Sequence, residues 1–329
     1  MRKVLRISGI LLGIIVLIIL GAAFYIKTFL PNVGAAPDIK IVSTTEKIER
    51  GKYLANHVTV CMDCHSTRDW KMYAGPMMPD NLGKGGEEFN RTMGFPGVIY
   101  AANITPAGIS SWTDGEIFRA ITTGVRKNGK PIFPVMPHRN YGTLDPEDIE
   151  AIICYLRSLP PVENKVPESQ YDFPMNFIVN TIPVKAVFSK RPDTSDVVAY
   201  GKYMVTAASC RDCHTPFEKG QFDTAFYFAG GRSFQLPVGL VTTANLTPDK
   251  ETGTGTWNKE MFVNRFAAYR DSTYAHRPVD MSKEFTTMMP WYVYSGMTDY
   301  DLGAIYVYLQ SLKPIKHAVV KFQPYTARK

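Results

Sequence analysis

The sequence is poor in cysteine, with five in 329 residues. That is too few for a disulfide scaffold of this length, so their positions matter more than their number. Charge is also sparse: Asp, Glu, Lys and Arg make up 20%, while mean hydropathy is only −0.12. These values exclude a disordered chain and a polytopic membrane protein. No excess of one charge sign exists outside the two ends. Residues 1–43 hold five basic residues and one acidic, and 321–329 hold three basic ones. By contrast, 44–162 and 191–320 each hold 13 of either sign, and 163–190 three of either sign. The net charge of +7 is therefore terminal, and a basic face for nucleic acid is unsupported. Strand-like alternation is scarce too. With Gly at 25 and Pro at 23, the chain reads as short helices between long loops.

One long apolar run is present. Ile7 to Ile26 are twenty residues without a charge, enough at 1.5 Å rise to cross a bilayer core of ~30 Å. Arg2, Lys3 and Arg6 precede it, which predicts a cytoplasmic N-terminus and an exported remainder. A cleaved signal peptide is the competing reading, with Gly21-Ala22-Ala23 as its cleavage site. The run exceeds a usual signal h-region, so a retained transmembrane anchor and linker over 1–43 is expected.

The rest of the chain repeats itself. Gly51-Lys52-Tyr53-Leu54 leads to Cys61-Met62-Asp63-Cys64-His65, and Gly201-Lys202-Tyr203-Met204 leads to Cys210-Arg211-Asp212-Cys213-His214. Gly85-Gly86 answers Gly230-Gly231, Asn103-Ile104-Thr105-Pro106 answers Asn245-Leu246-Thr247-Pro248, and Trp112 and Trp257 follow. Met136-Pro137 answers Met289-Pro290. The expected organisation is a domain over 44–162, an extended strap over 163–190, a second domain over 191–320 and a basic tail over 321–329. Thr113-Asp114-Gly115-Glu116 predicts a capping box, Asp145-Pro146 and Thr298-Asp299 open later helices, and a short helix precedes each Cys-x-x-Cys-His. Gly51 and Gly201 are read as points where the first and last helices of each copy approach closely.

Four of the five cysteines lie in the two Cys-x-x-Cys-His motifs. Two thiols at that spacing can add to the two vinyl groups of a haem, and the adjacent imidazole supplies an axial nitrogen. Zinc needs its Cys pairs close together, and a thioredoxin-like dithiol needs a βαβ frame; neither applies. The reading is two covalent haem c groups on Cys61, Cys64 and Cys210, Cys213, with His65 and His214 on the irons. An electron carrier closes the sixth position, and a thioether there raises the potential. Met136 and Met289, each before Pro in a loop, are the candidates. Met77, Met78, Met93 and Met281 read as filler; Met288, and His138 two residues from Met136, are competitors. Cys154 reads as a small core residue, Asn103 and Asn245 as loop organisers, and His57, His276 and His317 as ordinary histidines without partners.

This pattern, ending in Tyr-Leu-x-Ser-Leu helices, resembles class I cytochrome c. More closely, over about residues 44–315, it is similar to the membrane-bound cytochrome c subunits of bacterial alcohol, gluconate and aldehyde dehydrogenases. Those subunits typically carry three haem motifs and this chain two. The resemblance implies a mainly α fold of two tandem cytochrome c domains on the periplasmic side of the inner membrane. It also implies Trp112 and Trp257 near the haem propionates, with packing on a helix as the other reading of each. The expected function is a dihaem relay between a dehydrogenase or quinol-linked donor and a terminal oxidase or soluble cytochrome. The alternative is a dihaem enzyme of peroxidase or thiosulfate dehydrogenase type, which needs an open iron and an acid–base group over it. A gas sensor would need a vacant site and a signalling module. Arg126, Lys127, Lys130 and Arg139 are weighed as a docking face and read, on balance, as a solvated loop.

Overall fold

In the computed structural model, which describes residues 1–218, 220–270 and 277–325, the helices begin at their capping residues. Thr113 Oγ1 accepts from Glu116 N at 3.1 Å, and the Glu116 carboxylate accepts from Thr113 N at 2.8 Å. This closes the capping box of helix Asp114–Thr123, which ends at Gly124 with φ 75°. Asp145 caps Pro146–Ser158, and Thr298 caps Asp299–Gln310. The helices before the Cys-x-x-Cys-His motifs are Thr45–Tyr53, capped by Thr44, and Val197–Ala207, capped by Asp196. The first continues as a π-helical turn, Leu54–Val58, which no residue pattern announces.

Helix Thr45–Tyr53 packs on Pro146–Ser158, and Val197–Ala207 packs on Asp299–Gln310. Both contacts depend on glycine. A Cβ on Gly51 would lie 1.8 Å from the Ala151 carbonyl oxygen, and one on Gly201 would lie 2.0 Å from that of Ala304. The close-approach reading of both glycines is borne out. Leu54, Met62, Ile149 and Ile152 from the N-terminal half join Met204, Phe228, Leu302 and Leu309 in one continuous apolar cluster.

The two halves also hold each other by a reciprocal pair of contacts. The Tyr53 hydroxyl donates to Asp301 and accepts from Thr298 N at 3.1 Å. The Tyr203 hydroxyl donates to Asp148 at 2.7 Å and accepts from Asp145 N at 3.1 Å. Each tyrosine of an opening helix thus caps the closing helix of the other half. Asp148 also takes a bidentate pair from Arg50, both bonds 2.9 Å, and one from Arg191 at 2.7 Å.

Among the described residues three small antiparallel sheets border the helices. Glu88–Phe89 pairs with Gly97–Tyr100, which also pairs with Gln170–Tyr171; Phe217–Glu218 pairs with Gln221–Phe222; and Ser233–Leu236 pairs with Gly239–Thr242, which takes Phe322–Pro324. These strands are too short to leave an alternating signature. The segment 163–190, expected as plainly extended, contains one of them and a helical turn, Met175–Ile178. It then returns along the N-terminal half, where Val187 N donates to Gly142 O at 2.8 Å. The expected tail is partly built into the last sheet, while residues 326–329 and His276 lie outside the described residues. Helix Arg2–Phe29 buries none of its residues; it is long and apolar enough to cross a membrane.

Gly51→Ala is expected to destabilise the fold by about 3 kcal/mol, at the upper end for overpacking because the obstacle is backbone; a chemical denaturation curve reads it. Burial alone would raise the Asp148 pKa, but its arginine and tyrosine hydrogen bonds win and the carboxyl is lowered. Its stabilisation is therefore full above the unfolded-state pKa of ~3.9 and lost as pH falls below it. The stability gap between wild type and Asp148→Asn is expected to be roughly 2 kcal/mol at pH 7. That sits below the buried-pair range because both guanidiniums reach solvent. The gap should shrink from about pH 4 downward; a gap flat from pH 6 to 3 would remove Asp148 from the acid sensitivity.

Candidate haem-attachment sites

Each Cys-x-x-Cys-His motif forms a single helical turn, Cys61–His65 and Cys210–His214, introduced by a residue in left-handed conformation. These residues are Val60 at φ 50° and Ser209 at φ 55°. A β-branched residue there is strained, and such strain gathers where local geometry is over-determined by a site. The turn places the two cysteines of each motif, three apart, on one face. Burial pushes the Cys61 thiol up to about 11 and the Cys210 thiol up to about 12. Neither is the depressed, reactive thiolate of a dithiol redox enzyme.

The histidines are oriented alike. His65 Nδ1 lies 2.7 Å from the Ala102 carbonyl oxygen, and His214 Nδ1 lies 2.8 Å from that of Ala244. A carbonyl only accepts, so Nδ1 carries the proton and Nε2 keeps the lone pair that a metal needs. Burial, the largest influence on each, lowers both imidazole pKa values and keeps the rings neutral. The Gly-Gly repeats close the same loops. Gly85 N donates to His65 O and Gly230 N to His214 O, both at 2.8 Å. Gly85 stands at φ 72° and Gly230 at φ 73°, and a Cβ would meet backbone at 2.4 Å in each case. Asn103 and Asn245 order the carbonyl-bearing loops, each side-chain oxygen accepting from the threonine two residues on, as expected.

Met136 and Met289 occupy matching positions. Each carbonyl accepts from the amide two residues later, His138 N or Trp291 N, at 2.8 Å. Cys61, Trp112 and Met136, like Cys210, Trp257 and Met289, are half-buried against the apolar core, as the walls of an apolar cleft would be. The loops carrying the methionines are tied to the attachment turns by tyrosines that sequence reading missed. The Tyr141 hydroxyl donates to Thr59 O, and that of Tyr294 to Ala208 O at 2.6 Å. Both tyrosines stand five residues after the methionine, and both carbonyls two before the first cysteine. That matched spacing was the available signal. Burial drives both phenols well above their ordinary pKa.

The halves also meet at these sites. Asn140 Nδ2 donates to Asp212, inside the second motif, at 2.9 Å, and Arg211 donates to Asn140 at 3.2 Å. In the reverse direction, the His57 ring lies 3.2 Å from Val293 O and fills the space beside Gly296. His57 is therefore no unpartnered histidine, and neither is His317, whose Nδ1 lies 3.0 Å from Ala229 O. Both corrections have one cause: their partners are backbone carbonyls remote in sequence. Cys154 is buried on its helix as expected. His138 is fully buried, with neither ring nitrogen hydrogen-bonded, and its ring occupies the space a Gly124 side chain would take. Lys127, Lys130 and Arg139 are engaged by Ser111 O, Glu168 and Ile182 O, consistent with a self-satisfied loop. Among the described residues no group of three His, Cys, Asp or Glu side chains could hold a bare metal ion.

Residues 198–313 match the family model described as Cytochrome c. This segment is a cytochrome c domain. It holds Cys210, Cys213, His214 and Met289, and it implies a covalently attached haem c. The chain is 28% identical over 285 residues to the cytochrome c subunit of alcohol dehydrogenase (quinone) from Gluconobacter oxydans (strain 621H), covering 82% of this chain and 55% of that one. It is 28% identical over 285 residues to the gluconate 2-dehydrogenase cytochrome c subunit of Pantoea cypripedii, covering 80% and 59%. A diheme cytochrome c-type protein of Cereibacter sphaeroides is 26% identical over 200 residues, covering 58% of this chain and 64% of that one. The chain spans little more than half the length of the dehydrogenase subunits it matches.

Tyr294→Phe leaves the buried Ala208 carbonyl without its donor. It is expected to cost about 1–3 kcal/mol, seen as a lower denaturation midpoint with an unchanged slope. An unchanged midpoint would mean that the strut contributes nothing to the fold.

Proposed function

We propose that the chain is a membrane-anchored dihaem cytochrome c that passes electrons from a dehydrogenase or quinol-linked donor to a terminal oxidase or soluble cytochrome. Its parts are an anchor over 1–43, cytochrome c domains over 44–162 and 191–320, the strap 163–190 between them and the tail 321–329. The haem domains face the periplasm of a bacterial inner membrane. The names of the relatives support a dehydrogenase partner, and the cytochrome c match supports the chemistry.

The matched pair of Nδ1–carbonyl bonds carries the reading of two sites. The same tautomer, loop glycine and tyrosine strut are built at His65 and at His214, so what fits one fits the other. Haem, when bound, supplies a one-electron iron couple. The chain supplies the rest. Cys61 and Cys64, or Cys210 and Cys213, hold the macrocycle as thioethers. His65 and His214 would each give Nε2 to an iron, and Met136 and Met289 would each supply a thioether sulfur as its second protein ligand. Trp112 and Trp257, whose indole N–H groups donate to no protein acceptor among the described residues, are free to donate to propionates. Tyr141 and Tyr294 hold the methionine loops against the attachment turns, which would keep the second ligand in place on a bound haem. A site closed on both sides exchanges electrons and does not bind substrate. The peroxidase and thiosulfate readings gain nothing from the structure: His138 is packed against Gly124, and Cys154 lies in a closing helix.

Haem assay of the purified, matured chain should give two haem c per polypeptide, and Cys61→Ala/Cys64→Ala should leave one. The wild type should be low-spin and should not bind carbon monoxide when reduced. Met289→Ala should lose part of the ferric methionine charge-transfer absorbance and lower one of two potentials. One haem in the wild type, or open iron at both sites, sinks the proposal.

A further inference from the structure

The anchor helix does not leave the membrane alone. Lys27 is the first charged residue after the apolar run and so marks the edge of the hydrocarbon core. Its Nζ donates to Asn176 O at 2.7 Å and lies 4.7 Å from the centre of the Phe177 ring. The turn Met175–Ile178 and the residues just after it pack on this end of Arg2–Phe29. That contact sets the turn at the depth where the helix emerges.

The composition and exposure of this segment suit that depth. From Phe173 to Val184 no residue is charged. Asp172, just before it, is held by Arg91. Phe173 is 80% exposed and Ile178 43% exposed, with the Phe173 and Phe177 rings 6.3 Å apart in an edge-on pair. On the helix itself, Tyr25 and Phe29 are also exposed at this end, stacked at 5.5 Å. Aromatic residues grouped at one level, with a lysine beside them, are the composition of a membrane–water interface. In water, Phe173 and Ile178 would be apolar side chains with nothing to cover them.

We propose that the strap segment Phe173–Ile178 is a second membrane contact, with Phe173 and Ile178 inserted at the headgroup–acyl boundary beside the anchor. This rests on the reading of Arg2–Phe29 as a retained membrane span. The strap returns from the turn to the N-terminal half through the Val187–Gly142 bond. Two attachment points, the helix and the turn, restrict rotation about the anchor axis. They hold the haem-bearing halves in a fixed attitude to the bilayer surface, where a one-point tether would let them swing.

The test uses the full chain in phosphatidylcholine–phosphatidylglycerol vesicles with a nitrobenzoxadiazole label on Phe173→Cys. Cys154, the one thiol outside the haem motifs, is buried. The label is expected to be quenched several-fold more by lipids carrying a nitroxide near the headgroup than by aqueous iodide. Quenching by iodide alone overturns the proposal, and so does protection from both quenchers, which would point to a protein partner on this face. Carbonate extraction of the same vesicles separates the two claims. Resistant protein with an iodide-accessible label retains the anchor and removes the second contact, while extracted protein removes the anchor reading itself.

Discussion

A neutral imidazole can give its Nε2 lone pair to a metal only while its proton stays on Nδ1. In both halves that proton is committed to a backbone carbonyl, that of Ala102 for His65 and of Ala244 for His214. The carbonyls must be held where the rings can reach them. The loop glycines and asparagines achieve this: Gly85 and Gly230 bind the histidine's own carbonyl at a φ that disfavours any side chain, and Asn103 and Asn245 fix the turn that follows. The helix pairs closed at Gly51 and Gly201 form the platform from which each attachment turn rises. The strained backbone at Val60 and Ser209, the packed helices and the loop hydrogen bonds all serve one end, a histidine held in one tautomer and orientation.

Much of this was legible in the sequence because it is local. A Thr, an Asp or a Pro at a helix start acts within three residues, and the helices expected from Thr113, Asp145 and Thr298 begin where those residues stand. The Cys-x-x-Cys-His turn is local as well, and so is the Asn-x-Thr loop. Gly51 and Gly201 were legible because a glycine repeated at the same place in two helices has few explanations other than close approach. What escaped was non-local or too short. The π-helical turn after Tyr53 and strands of two to four residues carry no period. His57 and His317 find their partners among backbone carbonyls far along the chain, which side-chain pattern cannot announce. Tyr141 and Tyr294 escaped for a different reason. They sit in the repeat, yet a tyrosine at helical spacing reads first as core.

The contacts between halves tie the two sites together more closely than a linker would. Asn140, four residues after Met136, hydrogen-bonds Asp212 between the cysteines of the other motif. His57, four residues before Cys61, meets Val293, four residues after Met289. The methionine-bearing segment of each half thus leans on the attachment segment of the other. Each methionine-bearing segment is linked to the opposite turn by a single hydrogen bond, with no chain of intermediates.

The two halves are nevertheless not copies in chemistry. Asp148 is surrounded by two guanidiniums and one phenol, whereas Asp301 accepts from two phenols, Tyr53 and Tyr200. After Met136 stands a buried histidine whose ring nitrogens have no hydrogen bond; after Met289 the matching position is Trp291, stacked on Tyr269 at 5.1 Å and capped by Arg265 at 4.4 Å. Asp63 faces Arg68, while Asp212 faces Arg211 and Asn140. Charge and burial around an iron are the protein's levers on its potential, and both differ between the halves. Were both sites to carry haem with the same ligands, as proposed, these unequal surroundings would give the two irons unequal potentials.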